Sequence, residues 1–208
     1  PPTGTPSARV FQTESLAEQT RVNNPTYTQV ASLTFTPGAA SEVWVYFATF
    51  AINYNETFET PTLVARTTVN GAEDITAVQQ NNEADRYKMM VIAGRITGAT
   101  APQTIGVEIQ SPNSITTTRI KNIRIVAALV PPNADFQYAG NDPIQSIANC
   151  NYCDIANPQL TFSPSSAGDY YILAVGQHHE TPGAANSHLR LVDHTGAFWP
   201  SLSTVNSY

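Results

Sequence analysis

Apolar and polar residues alternate along much of the N-terminal part of the chain, with the period of two that is typical of β-strands. Residues 29–36 show it most plainly, because Leu33 and Phe35 share one face while serine and threonine occupy the other. Residues 43–52 are aromatic or β-branched on both faces, which predicts a central strand covered on both sides. The pattern therefore predicts antiparallel sheets that bury one face in a core.

Turn residues separate the remaining predicted strands. Residues 62–69 run into Asn70 and Gly71, which tolerate positive φ, and this predicts a tight two-residue hairpin. Three further strands, each bounded by Gly, Pro or Asn, are predicted at residues 86–97, 103–110 and 118–130. Four residues of the last strand are predicted to share a face: Ile123, Ile125, Ala127 and Leu129. Helix is expected only as a turn or two at residues 14–19.

The chain also repeats itself. Leu33-Thr34-Phe35-Thr36-Pro37 leads through a small-residue turn into the apolar strand at residues 43–48, and Leu160-Thr161-Phe162-Ser163-Pro164 leads in the same way into residues 170–175. The offset is roughly 125 residues, which is the size of a domain. About seven or eight short strands per copy predict an all-β fold made of tandem antiparallel β-sandwiches of jelly-roll type.

The repeat sets the predicted domain boundaries. Residues 1–8 form a linker or extended terminal segment, residues 9–132 the first β-sandwich repeat, and residues 133–208 a second repeat that is incomplete within this chain. Sequence matching the last strands of the first copy does not follow the second one. We expect those strands to come from chain beyond Tyr208 or from a neighbouring subunit, because an unfinished sandwich would expose apolar surface and unpaired backbone.

Composition narrows the classes of partner. Only 12% of the residues are charged and the net charge is −6, with no basic cluster, which argues against a nucleic-acid partner. The longest apolar run, residues 43–52, is about half of what a membrane-spanning helix requires, so membrane insertion is not expected. Serine, threonine, asparagine and glutamine supply the polarity, a mixture common in β-rich extracellular proteins.

These features together resemble the tandem β-sandwich repeats of phage virion fibres and of large microbial surface and filament proteins. The resemblance rests on the Leu-Thr-Phe-Thr/Ser-Pro strand, the apolar strands at residues 43–50 and 170–175, and the closing strand at residues 119–127. It implies a structural or adhesive role at an extracellular location or a virion surface. The implied partners are copies of the same chain, other structural subunits, and a cell-surface glycan.

The only two cysteines, Cys150 and Cys153, are candidates for a local disulfide if the segment turns, because a four-residue turn brings its end Cα atoms within disulfide range. In an extended strand they would lie too far apart and remain free. A zinc site would need two more ligands from His178, His179, His188 and His194. His178 and His179 are neighbours in a strand-like stretch and point to opposite faces, so zinc is the less favoured reading. We predict no metal and no cofactor.

Carboxylates lie close together in sequence at three places, which are Glu56 with Glu59, Glu73 with Asp74, and Glu83 with Asp85. Each pair occurs in a polar, turn-like stretch, where solvated carboxylates are the ordinary case, and no catalytic motif accompanies them. We therefore predict no catalytic residue and no enzymatic activity.

Two surface features remain. Asn55 begins the glycosylation sequon Asn55-Glu56-Thr57, which matters only in a host that glycosylates secreted proteins. Phe198 and Trp199 follow a turn and are the candidates for an exposed aromatic contact, although core packing is the more favoured interpretation for them. Trp44, Tyr46 and Phe47 are expected in the core.

The sequence thus favours a structural or assembly module of an extracellular filament or virion fibre, with an adhesive role as an extension. The alternative is a carbohydrate-binding module of a secreted protein. An aromatic platform on one sheet, or a groove lined by perturbed carboxylates, would favour the alternative. Broad contacts between identical chains would favour assembly.

Overall fold

A computed structural model describes residues 9–55, 62–79, 87–111, 117–131, 137 and 160. By internal contacts the chain divides into two compact units, Pro1–Phe136 and Gln137–Tyr208. The described strands all belong to the first unit. The predicted second copy lies outside the described residues apart from Gln137 and Leu160, so the likeness of the two copies stays a prediction.

The regular elements of the described residues are nine strands and no helix. They are β1 (Val10–Ser15), β2 (Gln19–Val22), β3 (Asn24–Phe35), β4 (Val43–Asn55), β5 (Thr62–Val69), β6 (Ala72–Gln79), β7 (Lys88–Thr97), β8 (Gln103–Ser111) and β9 (Thr117–Leu129). One sheet has the order β1-β9-β4-β7, with β2 also pairing with β9, and the other has the order β3-β8-β5-β6. All pairs are antiparallel, so the predicted all-β sandwich is confirmed.

The core lies between the two sheets and follows from the alternation in the sequence. On β3, Leu33 and Phe35 are buried while the residues beside them are exposed. Strand β8 buries Ile105, Val107 and Ile109 in the same way. The predicted face of β9 is also found, since Ile123, Ile125 and Ala127 are fully buried and Leu129 packs against them. The fully buried side chains of highest volume are Trp44, Tyr46, Phe50, Ile52, Ile105, Ile109, Ile120, Ile123, Ile125 and Val107.

Strand β4 is central, as predicted, because β9 and β7 pair with its two edges. Its two faces differ, however. The inner face, from Trp44 through Tyr46 to Phe50, is fully buried, whereas Val45 and Phe47 on the outer face are only half-buried. The prediction that Phe47 belongs to the core was wrong, because successive residues of a strand point to opposite sides of the sheet and Phe47 lies on the side away from the core.

The expected helical turn at residues 14–19 was also wrong. Glu14 and Ser15 end β1, and Gln19 begins β2. Both strands pair with β9 in succession, and the break between them coincides with a bulge in β9, where Asn122 has φ 53° and donates its backbone N–H to Leu16 O at 3.4 Å. The conformation of this segment is therefore set by its pairing with β9, which the local sequence does not reveal.

The predicted hairpin is confirmed. Asn70 and Gly71 have φ of 52° and 80°, and Val69 pairs with Ala72 across the turn. Positive φ at both central residues defines the turn type whose twist matches antiparallel strands. Strand β3 is longer than predicted and begins at Asn24, because a bulge between Asn24 and Thr28 allows it to continue its pairing with β8.

Candidate functional site

The outer face of the five-stranded sheet carries an ordered set of side chains, which we call the outer patch. Directly opposed residues of antiparallel strands point to the same side of a sheet, so the register defines the patch. Its three rows, each read from β1 through β9 and β4 to β7, are Val10–Ala128–Val45–Arg95, Gln12–Val126–Phe47–Ala93 and Glu14–Arg124–Thr49–Val91.

The middle of the outer patch is apolar. Phe47 is flanked by Val126 on β9 and by Ala93 on β7, and all three are half-buried. Two apolar corners are more open, because Val10 is 55% exposed and Val91 is 42% exposed. The outer patch therefore has a small apolar centre and two open apolar corners.

The other two corners of the patch are charged and opposite in sign. Glu14 lies at one corner and pairs with Arg124 at 3.5 Å, with both side chains about 60% exposed. Arg95 lies at the diagonally opposite corner and is also exposed. A depression of about 260 Å³ adjoins the acidic corner, lined by Gln12, Thr13, Glu14, Arg124 and Val126. The patch thus has an apolar centre, with the Glu14–Arg124 ion pair at one corner and Arg95 at the opposite corner.

The charges on the outer face of the four-stranded sheet form one cluster around Arg66. The Arg66 guanidinium donates from Nε to Glu108 at 2.7 Å and from a terminal nitrogen to Glu73 at 2.9 Å, and it lies 4.1 Å from the centre of the Tyr27 ring. The pKa of the Tyr27 hydroxyl is raised, because burial raises it by more than the positive charge of Arg66 lowers it. The pKa of the Arg66 guanidinium is also raised, because its hydrogen bonds to Glu108 and Glu73 outweigh the lowering caused by burial. Four strands are thereby joined by one ionic cluster.

Cations cover aromatic rings at two further places in the described part of the chain. Arg9 lies 5.2 Å from the centre of the Trp44 ring, and Lys121 lies 3.8 Å from the centre of the Tyr87 ring. Together with Arg66 on Tyr27, these contacts take one face of each ring. Trp44 is fully buried, Tyr27 belongs to the four-stranded sheet and Tyr87 lies against Lys121 of the five-stranded sheet, so these three rings do not share one open surface.

Glu42 and Arg9 form a further group of charges, which anchors the segment between β3 and β4. Glu42 accepts hydrogen bonds from the backbone N–H of Gly38 at 2.7 Å and from Trp44 Nε1 at 3.1 Å, and it forms an ion pair with Arg9. Burial acts to raise the pKa of Glu42, but these hydrogen bonds and the positive charge of Arg9 hold it below its ordinary value. The carboxylate is ionised at neutral pH and serves the fold.

Several residues singled out from the sequence lie outside the described residues. These are Cys150, Cys153, Phe198 and Trp199, together with the acidic pairs at positions 56, 59, 83 and 85. Asn55 is the last residue of β4, and the remainder of its sequon is not described. For all of them the assignments stay predictions.

One acidic pair can be placed. Glu73 binds Arg66, and Asp74 accepts a hydrogen bond from the Tyr46 hydroxyl, so both carboxylates of this pair have protein partners. Among the residues that the structure describes, no group of three or more His, Cys, Asp or Glu side chains is arranged to hold a metal ion. The same residues contain no helix with the length and apolar character needed to cross a membrane.

Sequence reasoning missed the outer patch. Its signal was present, since residues 43–52 are apolar on both faces, but such a run is read as a strand covered by a second layer. The exposed Val10 and Val91 lie far from Phe47 in sequence and join it only through the register. Without that register, the run alone could not distinguish the outer face of the sheet from the face in the core.

Comparison with known proteins gives weak similarities of architecture. No protein-family model and no curated protein sequence matches the chain. A solved structure titled "EclA C-terminal domain; sugar-binding protein" is 17% identical, with a TM-score of 0.36, covering 53% of this chain and 78% of that one. A family 35 carbohydrate binding module from Clostridium thermocellum is 11% identical, with a TM-score of 0.29, covering 57% of this chain and 97% of that one.

A third similar structure is the infectious bursal disease virus VP2 subviral particle, at 11% identity and a TM-score of 0.30, covering 60% of this chain and 41% of that one. Two of the three are described as sugar-binding or carbohydrate-binding and one is a viral particle protein. At these identities and TM-scores, none of them distinguishes a structural or assembly role from carbohydrate binding.

Proposed function

We propose that this chain is a non-enzymatic structural module of an extracellular or virion-surface assembly, and that its outer patch binds a second copy of the same chain. The observation that supports this proposal is the solvent-facing apolar centre around Phe47, on the central strand of the five-stranded sheet. A phage fibre or a microbial surface filament is the setting that the tandem repeat predicted from the sequence favours. Repetition of a domain serves reach and valency.

The shape of the patch favours a second copy as the occupant. Its corners are Val10, Arg95, Val91 and Glu14. From Val10 to Glu14 the chain advances four residues, or about 14 Å, and from β1 to β7 there are three strand spacings, which is again about 14 Å. The patch is therefore nearly square.

A square patch can meet a copy of itself with the strands crossing near right angles, which is one of the two ways that sheets pack. The two copies are then related by a two-fold axis that lies in the interface, along the diagonal from Val10 to Val91. This axis places each charged corner of one copy on the opposite charged corner of the other. Arg95 of each copy then lies against Glu14 of the other, while the Phe47 regions face each other. The patch is thus complementary to itself in both charge and apolarity.

The association of two isolated chains is expected to be weak. A stable interface buries about 800 Å² on each partner, and a patch of about 14 by 14 Å supplies only part of that area. Copies tethered in a longer array would bind more tightly, because the second contact becomes intramolecular.

Carbohydrate binding is the competing function, and the described residues favour it less. Cations take one face of the Tyr27, Trp44 and Tyr87 rings. Across the sheet, Phe47 is flanked by Val126 and Ala93, whose side chains offer no hydrogen bonds to sugar hydroxyls. An adhesive function would depend on Phe198 and Trp199 being exposed, which is the less favoured of the two interpretations of these residues.

The test replaces the centre of the patch. We expect the full chain to self-associate in sedimentation velocity as its concentration is raised, and Phe47→Lys to remain monomeric, because a buried unpaired charge opposes contact. Thr34→Lys is the matched control, since Thr34 is exposed on the outer face of the other sheet. The proposal fails if the wild-type chain stays monomeric throughout, or if both lysine variants associate equally. A wild-type monomer that binds an immobilised glycan would instead support the carbohydrate reading.

A further inference from the structure

The hairpin turn between β5 and β6 contains the sole Asn-Gly sequence of the chain. In such a pair the backbone nitrogen of the glycine can attack the carboxamide carbon of the asparagine side chain, and the glycine, without a Cβ, does not hinder the approach. Asn70 is exposed, so water reaches the site. The sequence and the exposure together would predict rapid spontaneous deamidation of an unrestrained turn.

The structure restrains this turn through the Asn70 carboxamide. Its Nδ2 donates to Gln103 Oε1 at 2.8 Å, and its Oδ1 accepts the backbone N–H of Thr104 at 2.8 Å. The backbone N–H of Asn70 also donates to Thr104 O at 2.8 Å. The side chain thus takes part in the pairing of β5 with β8 and extends it by one residue beyond Val69.

Gln103 is itself fixed in orientation. Its side chain is buried, at 7% exposure, and its Nε2 donates to the carbonyl oxygens of Ala101 at 2.9 Å and Pro102 at 3.2 Å. With Nε2 engaged there, Oε1 faces Asn70. Both ends of the Asn70 carboxamide are therefore held by groups that cannot rotate freely.

We propose that Asn70-Gly71 is a spontaneous modification site whose deamidation is gated by opening of the β5–β6 turn. In the open turn the Gly71 nitrogen loses its proton and bonds to Cγ of Asn70, the Cγ–Nδ2 bond breaks, and ammonia leaves. Water then hydrolyses the cyclic imide at either carbonyl, giving aspartate or isoaspartate. Water is the only co-reactant.

Either product weakens the end of the four-stranded sheet. In aspartate the oxygen that replaces Nδ2 faces Gln103 Oε1, so two acceptors meet where a hydrogen bond was. In isoaspartate the backbone gains a methylene group, which breaks the pairing of Val69 with Ala72. The modification therefore favours further opening of the turn, and it would accumulate with the age of a long-lived extracellular protein.

The test measures deamidation in the full chain at neutral pH, natively and in urea. Trypsin releases residues 67–86, which contain Asn70 and, as internal references, Asn81 and Asn82. Mass spectrometry should find Asn70 far slower to deamidate in the native chain than in urea. Gln103→Met should raise the rate in the native chain about fivefold, because the loss of one hydrogen bond favours opening of the turn by about that factor. The rate in urea should not change.

Thr34→Val is the matched control. It removes the neighbouring hydroxyl bond between Thr34 and Thr104, 2.9 Å long, and leaves the bonds of Asn70 in place, so its native rate should equal that of the wild type. Equal rates in the native chain and in urea would overturn the proposal. So would an unchanged native rate in folded Gln103→Met. If that variant does not fold, the wild-type comparison decides, together with Asn70→Asp, which should lower the stability of the chain.

Discussion

At the scale of the residue, the Tyr46 side chain joins the two sheets. Tyr46 lies on β4 of the five-stranded sheet, and its partners lie on the four-stranded sheet. Its hydroxyl lies 3.2 Å from Thr67 Oγ1 on β5 and donates a hydrogen bond to Asp74 on β6. The ring passes over Gly94 of β7, where a Cβ would overlap the ring atoms. Sequence patterning could place Tyr46 in the core, but it could not identify Gly94 as the residue that makes room for the ring.

Gly94→Ala is therefore expected to destabilise the fold by about 1–3 kcal/mol, because the added methyl group overpacks the space under Tyr46. The free energy of unfolding in urea measures the effect. Thr97→Ala, an exposed change on the same strand, should stay within about 0.5 kcal/mol of the wild type. Equal stability of Gly94→Ala and the wild type would contradict the inferred close approach.

Glu42 gives the fold a dependence on pH. Its pKa is lowered in the folded chain, so the stability that it contributes is present above its ordinary pKa and is lost as the pH falls through the folded value. Glu42→Gln should be less stable than the wild type at neutral pH and lose less stability on acidification. Urea titrations at neutral and acid pH test this, with Glu14→Gln, whose carboxylate is exposed, as control. Parallel acid losses in the wild type and Glu42→Gln would exclude the assigned role.

At the scale of the element, the bulge in β9 allows one strand to serve two partners. Ile120 and Ile123 are both buried, although residues three apart on a regular strand face opposite sides. Asn122, with φ 53°, supplies the extra residue that returns the strand to register. The sequence predicted the buried face from Ile123 onward but not the shift, because the bulge depends on pairing with β4 and on the break between β1 and β2.

The bulge makes a prediction about Asn122. Asn122→Gly should be nearly neutral, because glycine adopts positive φ without strain. Asn122→Val should lose about 1–2 kcal/mol, since a β-branched residue is strained in this conformation. Thermal unfolding of the two variants compares them directly. A valine variant as stable as the glycine variant would show that the positive φ is not retained.

At the scale of the whole molecule, local periodicity was sufficient to predict the sandwich and its turns, because strand alternation and the Asn70-Gly71 pair are local signals. The outer patch could not be predicted, because only long-range pairing brings Val10, Phe47 and Val91 to the same face of the sheet. For Cys150, Cys153, Phe198 and Trp199, the sequence remains the sole basis of their assignment. The function proposed for the molecule depends on whether the patch meets its own copy.

Charge reversal at the two charged corners tests that claim most directly. In the proposed pairing, Arg95→Glu and Glu14→Lys each place like charges together and should weaken self-association in sedimentation velocity, and the effect should decrease with added salt. The double variant Glu14→Lys/Arg95→Glu restores opposite charges across the two-fold axis and should recover association. If the double variant is as weak as the singles, or if the singles associate like the wild type, the outer patch does not bind a second copy in this arrangement.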